Sequence, residues 1–217
     1  MREDVIQKIE QEKVIAIVRG VAPELCMKVA DALYEGGIRL MEITYNLKSP
    51  ESFQQTADSI AAIAEAYGDR MLVGAGTVVS PELVEMTARA NGKFIISPDT
   101  NVDVIRRTRE LGLVSLPGAL TPSEVMIAHN AGADFVKLFP AGTLGIDYVK
   151  AVRAPIGHVK MMAVGGIDEN NITSFLQAGM SGAGIGGNLV NQKLIASGNF
   201  GKIIETARKL VDAVKSI

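Results

Sequence analysis

The sequence predicts an α/β fold, a single TIM-type (β/α)8 barrel with an extra N-terminal helix, and three observations carry that expectation. Glycines recur at Gly37, Gly68, Gly92, Gly112, Gly132, Gly157 and Gly179, each followed within a few residues by an apolar run. Helix-start signatures recur beyond the apolar runs: Ser49-Pro50-Glu51, Ser80-Pro81-Glu82, Thr121-Pro122-Ser123-Glu124 and Asp168-Glu169-Asn170. The runs are apolar on both faces, as strands of a parallel sheet covered by helices must be.

The segment from Arg2 to Glu12 reads as an amphipathic helix with Val5, Ile6 and Ile9 on one side, suited to covering the bottom of a barrel. Val14 to Val18 is the first strand, and the rest are Arg39 to Thr44, Met71 to Val79, Phe94 to Ser97, Leu113 to Leu116, Phe135 to Phe139, Lys160 to Val164 and Gly182 to Gly186, eight in all. Between them, glycine ends each helix because it reaches a left-handed conformation without a Cβ penalty. Ser, Thr or Asp starts the next with a capping oxygen, followed by Pro or Glu in the first turn. Right-handed crossovers leave a closed barrel or an open doubly wound sheet. Eight evenly spaced units favour the barrel. A dinucleotide-binding sheet needs Gly-x-Gly-x-x-Gly after its first strand, where this chain has Arg19-Gly20-Val21-Ala22-Pro23.

At 217 residues and 47% hydrophobic, the chain suffices for one full core, and no linker or low-complexity stretch divides it, so one domain over 1–217 is expected. Its 22 basic and 24 acidic residues give a net charge of -2 without a basic cluster, which argues against nucleic acid as a partner. Arg106, Arg107 and Arg109, the densest basic group, read as a solvated helix face. The sole cysteine, Cys26, fits a reducing compartment and reads as a small apolar residue on the helix after the first strand. The expectation is a cytoplasmic protein without signal peptide or membrane span.

Two residues break the apolar pattern. Lys137 stands in Phe135-Val136-Lys137-Leu138-Phe139-Pro140, sharing one strand face with Phe135 and Phe139. Burial disfavours the charged form of lysine, and a neutral amine attacks carbonyl carbon, so the pattern points to Schiff-base chemistry. Glu42 repeats the anomaly, sharing a face with Leu40 and Thr44. A structural Glu-Lys pair is the bland alternative. Position favours catalysis, because both residues sit on the upper part of their strands, where barrels of this class build active sites. Arg19, Asn46, Gly74-Ala75-Gly76-Thr77, Ser97-Pro98-Asp99 and Pro117-Gly118 fall at the same end. So do Gly165-Gly166 and Gly186-Gly187-Asn188, whose backbone N–H groups, free of side chains, are expected to surround a phosphate at the start of a helix. His129 and His158 fall at the wrong end for a nucleophile or metal site, and no metal-ligand spacing occurs. Met161 and Met162 read as core.

Glu42 in Met-Glu-Ile-Thr, Gly74-Ala-Gly-Thr77, Ile96-Ser-Pro98, Phe135-Val-Lys137-Leu-Phe-Pro140, Gly165-Gly-Ile167 and Gly186-Gly187 follow one another as in the class I 2-keto-3-deoxy-6-phosphogluconate (KDPG) aldolases. The chain resembles that group, with its 4-hydroxy-2-oxoglutarate (KHG) and 6-phosphogalactonate-cleaving relatives, from Val14 to Asn188. The resemblance implies a trimeric barrel with no metal and no organic cofactor, a lyase of the Entner-Doudoroff type. Lys137 corresponds to the Schiff-base lysine and Glu42 to the general acid/base. Arg19 and Thr77 resemble groups holding the pyruvyl carboxylate or nearby substrate oxygens, Pro98 and Phe139 resemble pocket walls, and Gly165, Gly166, Gly187 and Asn188 fall at the phosphate end.

Asn46, Val164 and Asn188 depart from the gluconate-type pattern, where arginine, threonine and serine are common; Asn46, together with Ala163-Val164-Gly165-Gly166 and Gly182-Ala183-Gly184, is similar to the phosphogalactonate-cleaving relatives. The expected reaction is cleavage of a 2-keto-3-deoxy-6-phospho sugar acid of the gluconate type to pyruvate and D-glyceraldehyde 3-phosphate, together with 4-hydroxy-2-oxoglutarate to pyruvate and glyoxylate. A galactonate-preferring aldolase is the alternative, and a phosphate-binding barrel isomerase or epimerase a remoter one.

Overall fold

Pro117 has no backbone N–H to give to a neighbouring strand, and this one residue divides the sheet where the sequence reads a continuous strand end. A computed structural model describes residues 2–216 and contains nine parallel strands: β1 (Val14–Val18), β2 (Leu40–Thr44), β3 (Leu72–Gly76), β4 (Phe94–Ile96), β5 (Val114–Leu116), β6 (Gly118–Ala119), β7 (Val136–Leu138), β8 (Met161–Val164) and β9 (Gly182–Ile185). Their order is β5-β4-β3-β2-β1-β9-β8-β7-β6. The two ends of that order, β5 and β6, are consecutive in the chain, so the sheet returns on itself. Phe135 N–H donates to Ser115 O at 3.2 Å and Lys137 N–H to Pro117 O at 2.8 Å, which closes the ring around the break. The eight expected strands are therefore present, the fifth in two pieces. Met1 and Ile217, the ends of the expected 1–217 unit, lie outside the described residues.

Ten helices surround the barrel among the described residues: α1 (Arg2–Glu12), α2 (Pro23–Glu35), α3 (Phe53–Tyr67), α4 (Pro81–Arg89), α5 (Val102–Glu110), α6 (Pro122–Ala131), α7 (Ala141–Ile156), α8 (Ile172–Gln177), α9 (Gln192–Ala196) and α10 (Phe200–Lys215). Thr121 caps α6 in a full capping box with Glu124, whereas Asp168 does not start a helix: it makes an Asx turn with Asn170, and α8 begins after Asn171. Five of the seven punctuating glycines have positive φ; at Gly92 the left-handed residue is the preceding Asn91, and Gly157 ends α7 in a right-handed conformation. The third strand is shorter than the run Met71 to Val79 because Thr77 turns to φ 57°.

The alternation of side chains along the strands sorts them into two cores. Met41, Ile43, Val73, Ala75, Val136, Leu138 and Met161 face the helices. Ile15, Ile17, Leu40, Leu72, Phe94, Ile96, Val114, Leu116, Phe135, Met162 and Val164 fill the barrel, joined by Val5, Ile6 and Ile9 of α1, which plugs the bottom as the sequence predicts. Arg2 pins that helix to Asp134 at 3.0 Å, and Asp134 also accepts from Arg109 at 3.0 Å and from Ser115 N–H at 2.9 Å. Arg107 bridges Glu85 and Glu110, so the basic group of α5 is a partly paired surface rather than a purely solvated one. His129 and His158 stack edge to face, 5.2 Å apart. Cys26 is buried in α2 as an apolar side chain. No helix of the described residues is long and apolar enough to cross a membrane.

Ile9 is fully buried where α1 meets the barrel floor. Ile9→Ala should lower the unfolding free energy by about 2–5 kcal/mol, read from urea denaturation.

Candidate active site

The lower barrel is packed with branched and aromatic side chains, but toward the carboxyl ends of the strands the inward positions become Gly74, Gly76, Gly118 and Gly184, and the filling stops. A cavity of about 520 Å³ opens there. Arg19, Thr77, Pro98, Lys137, Phe139, Gly165, Gly166, Gly187 and Asn188 all line it. Glu42 lies deeper, 2% exposed on the inward face of β2. The structure thus places nine of the residues the sequence singles out on one cavity with Glu42 beneath it, while Asn46, Ser97 and Asp99 do not line it. Ile17, Val164, Ile167, Gly184 and Gly186 line it as well. Ile17 was legible in principle, since it stands two residues before Arg19 on the same face of β1.

Gly76 shows how closely the carboxylate is housed. A Cβ built on Gly76 would fall on Glu42 Oε2, so only glycine leaves room for the carboxyl group beneath the cavity. Burial pushes the Glu42 carboxyl up to about 7 from 4.5, against the opposing pull of the Lys137 and Arg19 charges. Lys137, 7% exposed, is pushed below its ordinary value by burial; Glu42 opposes that shift and Arg19 adds to it. No ion pair joins Glu42 to Lys137 among the described residues, and Glu42 Oε2 has no hydrogen-bond partner. The structural ion pair that sequence alone leaves open is therefore absent, while the two charges still act on one another through the barrel. The Lys137 ammonium position lies 4.9 Å from the centre of the Phe139 ring, which is 42% exposed at the cavity mouth.

Arg19 donates to Thr77 Oγ1 at 3.4 Å, and the Arg19 carbonyl accepts from Gln192 Nε2 at 3.0 Å. Thr77 holds a left-handed backbone, which costs a β-branched residue free energy and is typical of positions fixed by a site. Beyond the neighbouring strands β8 and β9, the amides of Gly165, Gly166, Gly187 and Asn188 find no acceptor among the described residues. They do not stand at helix starts as the sequence suggests: α8 begins at Ile172 and α9 at Gln192. These N–H groups are loop donors without a helix dipole behind them. The Asn188 side chain is also engaged elsewhere, since its Nδ2 donates to Ile167 O at 2.9 Å and ties the two glycine loops together. No cluster of three or more His, Cys, Asp or Glu side chains fit to hold a metal ion occurs among the described residues.

The family model for KDPG and KHG aldolase matches residues 5–206. The chain belongs to the KDPG and KHG aldolase family. Among members of the family, a 2-dehydro-3-deoxy-6-phosphogalactonate aldolase of Escherichia coli (strain K12) is 39% identical over 81% of this chain and 83% of its own length. A 2-dehydro-3-deoxy-phosphogluconate aldolase of Haemophilus influenzae is 28% identical over 98% of both chains. A solved native KDPGal structure superposes with a TM-score of 0.84 at 35% identity, covering 94% of each chain.

The close fit at Gly76 generates a test. Gly76→Ala should cost about 1–3 kcal/mol of stability. Adding Glu42→Ala should recover most of that loss in a double-mutant cycle followed by thermal unfolding, because the same two groups then no longer overlap.

Proposed function

We propose that this chain is a class I aldolase, a lyase that cleaves a 2-keto-3-deoxy-6-phospho sugar acid to pyruvate and D-glyceraldehyde 3-phosphate through a Schiff base on Lys137. The observation that carries the reading is an interior amine lining the cavity and an interior carboxyl beneath it, with no ion pair between them and shifted toward each other's proton affinity. The neutral Lys137 amine attacks the C2 carbonyl, and loss of water leaves a protonated imine that accepts the electron pair of the C3–C4 bond as it breaks. Glu42 takes the C4 hydroxyl proton and returns a proton to C3 of the resulting enamine; a carboxyl near pKa 7 serves both directions. Arg19 and Thr77 hold the pyruvyl carboxylate, and Pro98 and Phe139 wall the imine. The loop amides of Gly165, Gly166, Gly187 and Asn188 receive the phosphate, where binding far from the reacting bond contributes orientation. The working unit is one domain over 1–217, a cytoplasmic homotrimer needing neither metal nor organic cofactor, without nucleic-acid or membrane partners.

Two substrate readings follow from the relatives. The gluconate-type acid, with 4-hydroxy-2-oxoglutarate as a second substrate, is the first. A preference for the C4-epimeric galactonate acid is the second, since the relatives include both a galactonate-cleaving and a gluconate-cleaving enzyme. Coupled pyruvate release from the two phosphorylated acids and from 4-hydroxy-2-oxoglutarate decides between them, the larger kcat/KM naming the substrate.

Borohydride with pyruvate should add a covalent mass at Lys137, mapped by peptide mass spectrometry. An unlabelled parent chain alongside an active Lys137→Ala variant would end the Schiff-base reading. Turnover should rise with pH along a limb near 7 as Glu42 ionises, and Glu42→Gln should lose that limb and slow turnover by roughly 10²-fold or more while still forming the adduct. Stability runs the other way: the raised pKa favours the folded chain below 4.5, and that contribution disappears as pH rises through about 7.

A further inference from the structure

Two buried polar side-chain atoms have no hydrogen-bond partner among the described residues, Glu42 Oε2 and Thr44 Oγ1, and both belong to the inward face of β2. Other buried threonines are satisfied in the ordinary way: Thr87 and Thr108 donate to the carbonyls of Leu83 and Val104, four residues back in their helices, at 2.8 and 2.7 Å. A strand offers Thr44 no such carbonyl. At 8% exposure, an orphaned hydroxyl is a cost that valine, of nearly the same shape, would avoid.

The register locates that hydroxyl. Glu42 pairs with Gly74 and Thr44 with Gly76, so Thr44 stands one inward step closer to the cavity. The Glu42 carboxyl reaches upward to that same step, because its Oε2 occupies the space a Cβ on Gly76 would take. Thr77, the next residue of the β3 segment, already lines the cavity and bonds Arg19. The two orphaned oxygens thus share one level of the barrel, that of Gly76, beneath the cavity.

We infer that Thr44 is a positioning residue for proton transfer: its hydroxyl, with the Glu42 carboxyl, holds the oxygen that carries the proton between Glu42 and C3 of the pyruvyl imine. The inference rests on the aldolase reading above. In the step concerned, the C3–H bond of the iminium breaks and its electron pair becomes the C2=C3 bond of the enamine, while the iminium nitrogen becomes neutral. The proton passes through the held oxygen, a water or the substrate hydroxyl, to the Glu42 carboxylate. The reverse step returns a proton or, in D2O, a deuteron.

The test follows exchange of the pyruvate methyl protons in D2O by NMR, beside borohydride trapping, for the parent chain, Thr44→Val and Thr44→Ser. Thr44→Val should keep the adduct and keep or raise the urea midpoint, since the lost hydroxyl bonds nothing in the chain, yet exchange roughly 10- to 100-fold more slowly. Thr44→Ser should restore most of the exchange rate and its pH dependence. Parental exchange in Thr44→Val overturns the role, as does a serine variant as slow as the valine one, which would mark a packing effect. A lowered urea midpoint in Thr44→Val also counts against it, by showing a structural bond. A parent chain with no adduct fails differently: it removes the aldolase reading itself, and the Thr44 role with it.

Discussion

The structure depends on keeping one amine and one carboxyl out of water, inside a ring of strands, without letting them bond. Either group alone would be neutralised by burial, and a tight ion pair would fix both as charges. The barrel does neither. Burial raises the proton affinity of Glu42 and lowers that of Lys137, while their mutual attraction limits both shifts. The cost of desolvation is offset by the apolar shell on both sides of the sheet, with two cores meeting at the strands that carry the two groups.

The barrel makes room for them by a gradient in side-chain size. Near α1 the interior is Ile9, Leu40, Leu72, Phe94 and Phe135, large enough to fill the cylinder completely. Higher up, glycines replace them on neighbouring strands, and each close approach has a specific partner. Gly76 admits the Glu42 carboxyl, Gly74 accommodates the Phe94 ring, and Gly118 lies against the Pro98 carbonyl. Function and packing are therefore set by the same positions, and a single added methyl group at Gly76 acts on a side chain of a neighbouring strand.

Much of this arrangement was legible from alternation alone. Lys137 and Glu42 stood out because a charged residue on a face otherwise made of Phe or Leu contradicts its surroundings, and the period of the strand assigned both to the interior. The bottom plug was legible from Val5, Ile6 and Ile9 for the same reason. What escaped the sequence depends on backbone geometry that no side-chain pattern encodes. Pro117 split a strand because of a missing N–H, and Asn91 took the left-handed position that Gly92 was expected to hold. The glycine loops were found, but their distance from α8 and α9 was not, since Asp168 resembles a cap yet spends its carboxylate on an Asx turn. Asn188 lines the cavity, but its side chain serves to brace Ile167. Thr44 drew no notice because threonine is an ordinary strand residue; only the absence of a bonding partner sets it apart.

Arg19 completes the electrostatic argument. Its fixed charge lowers the proton affinity of both interior groups, and it stands at the end of β1, next in the sheet to the strand bearing Glu42. On Lys137 that influence works with burial, favouring the neutral amine that the proposed attack on a carbonyl would need. On Glu42 it works against burial, holding a carboxyl that would otherwise remain protonated within reach of ionisation near neutral pH. One guanidinium therefore shifts both interior groups in the directions that the proposed nucleophile and base would require. A substrate carboxylate arriving beside Arg19 would cancel part of that charge, raising the proton affinity of both interior groups as the ligand binds. Under the proposed function, an imine on Lys137 would be cationic and would counteract that rise at Glu42, so that proton affinities in the barrel would be set first by the protein, then by the ligand, and then by the covalent intermediate.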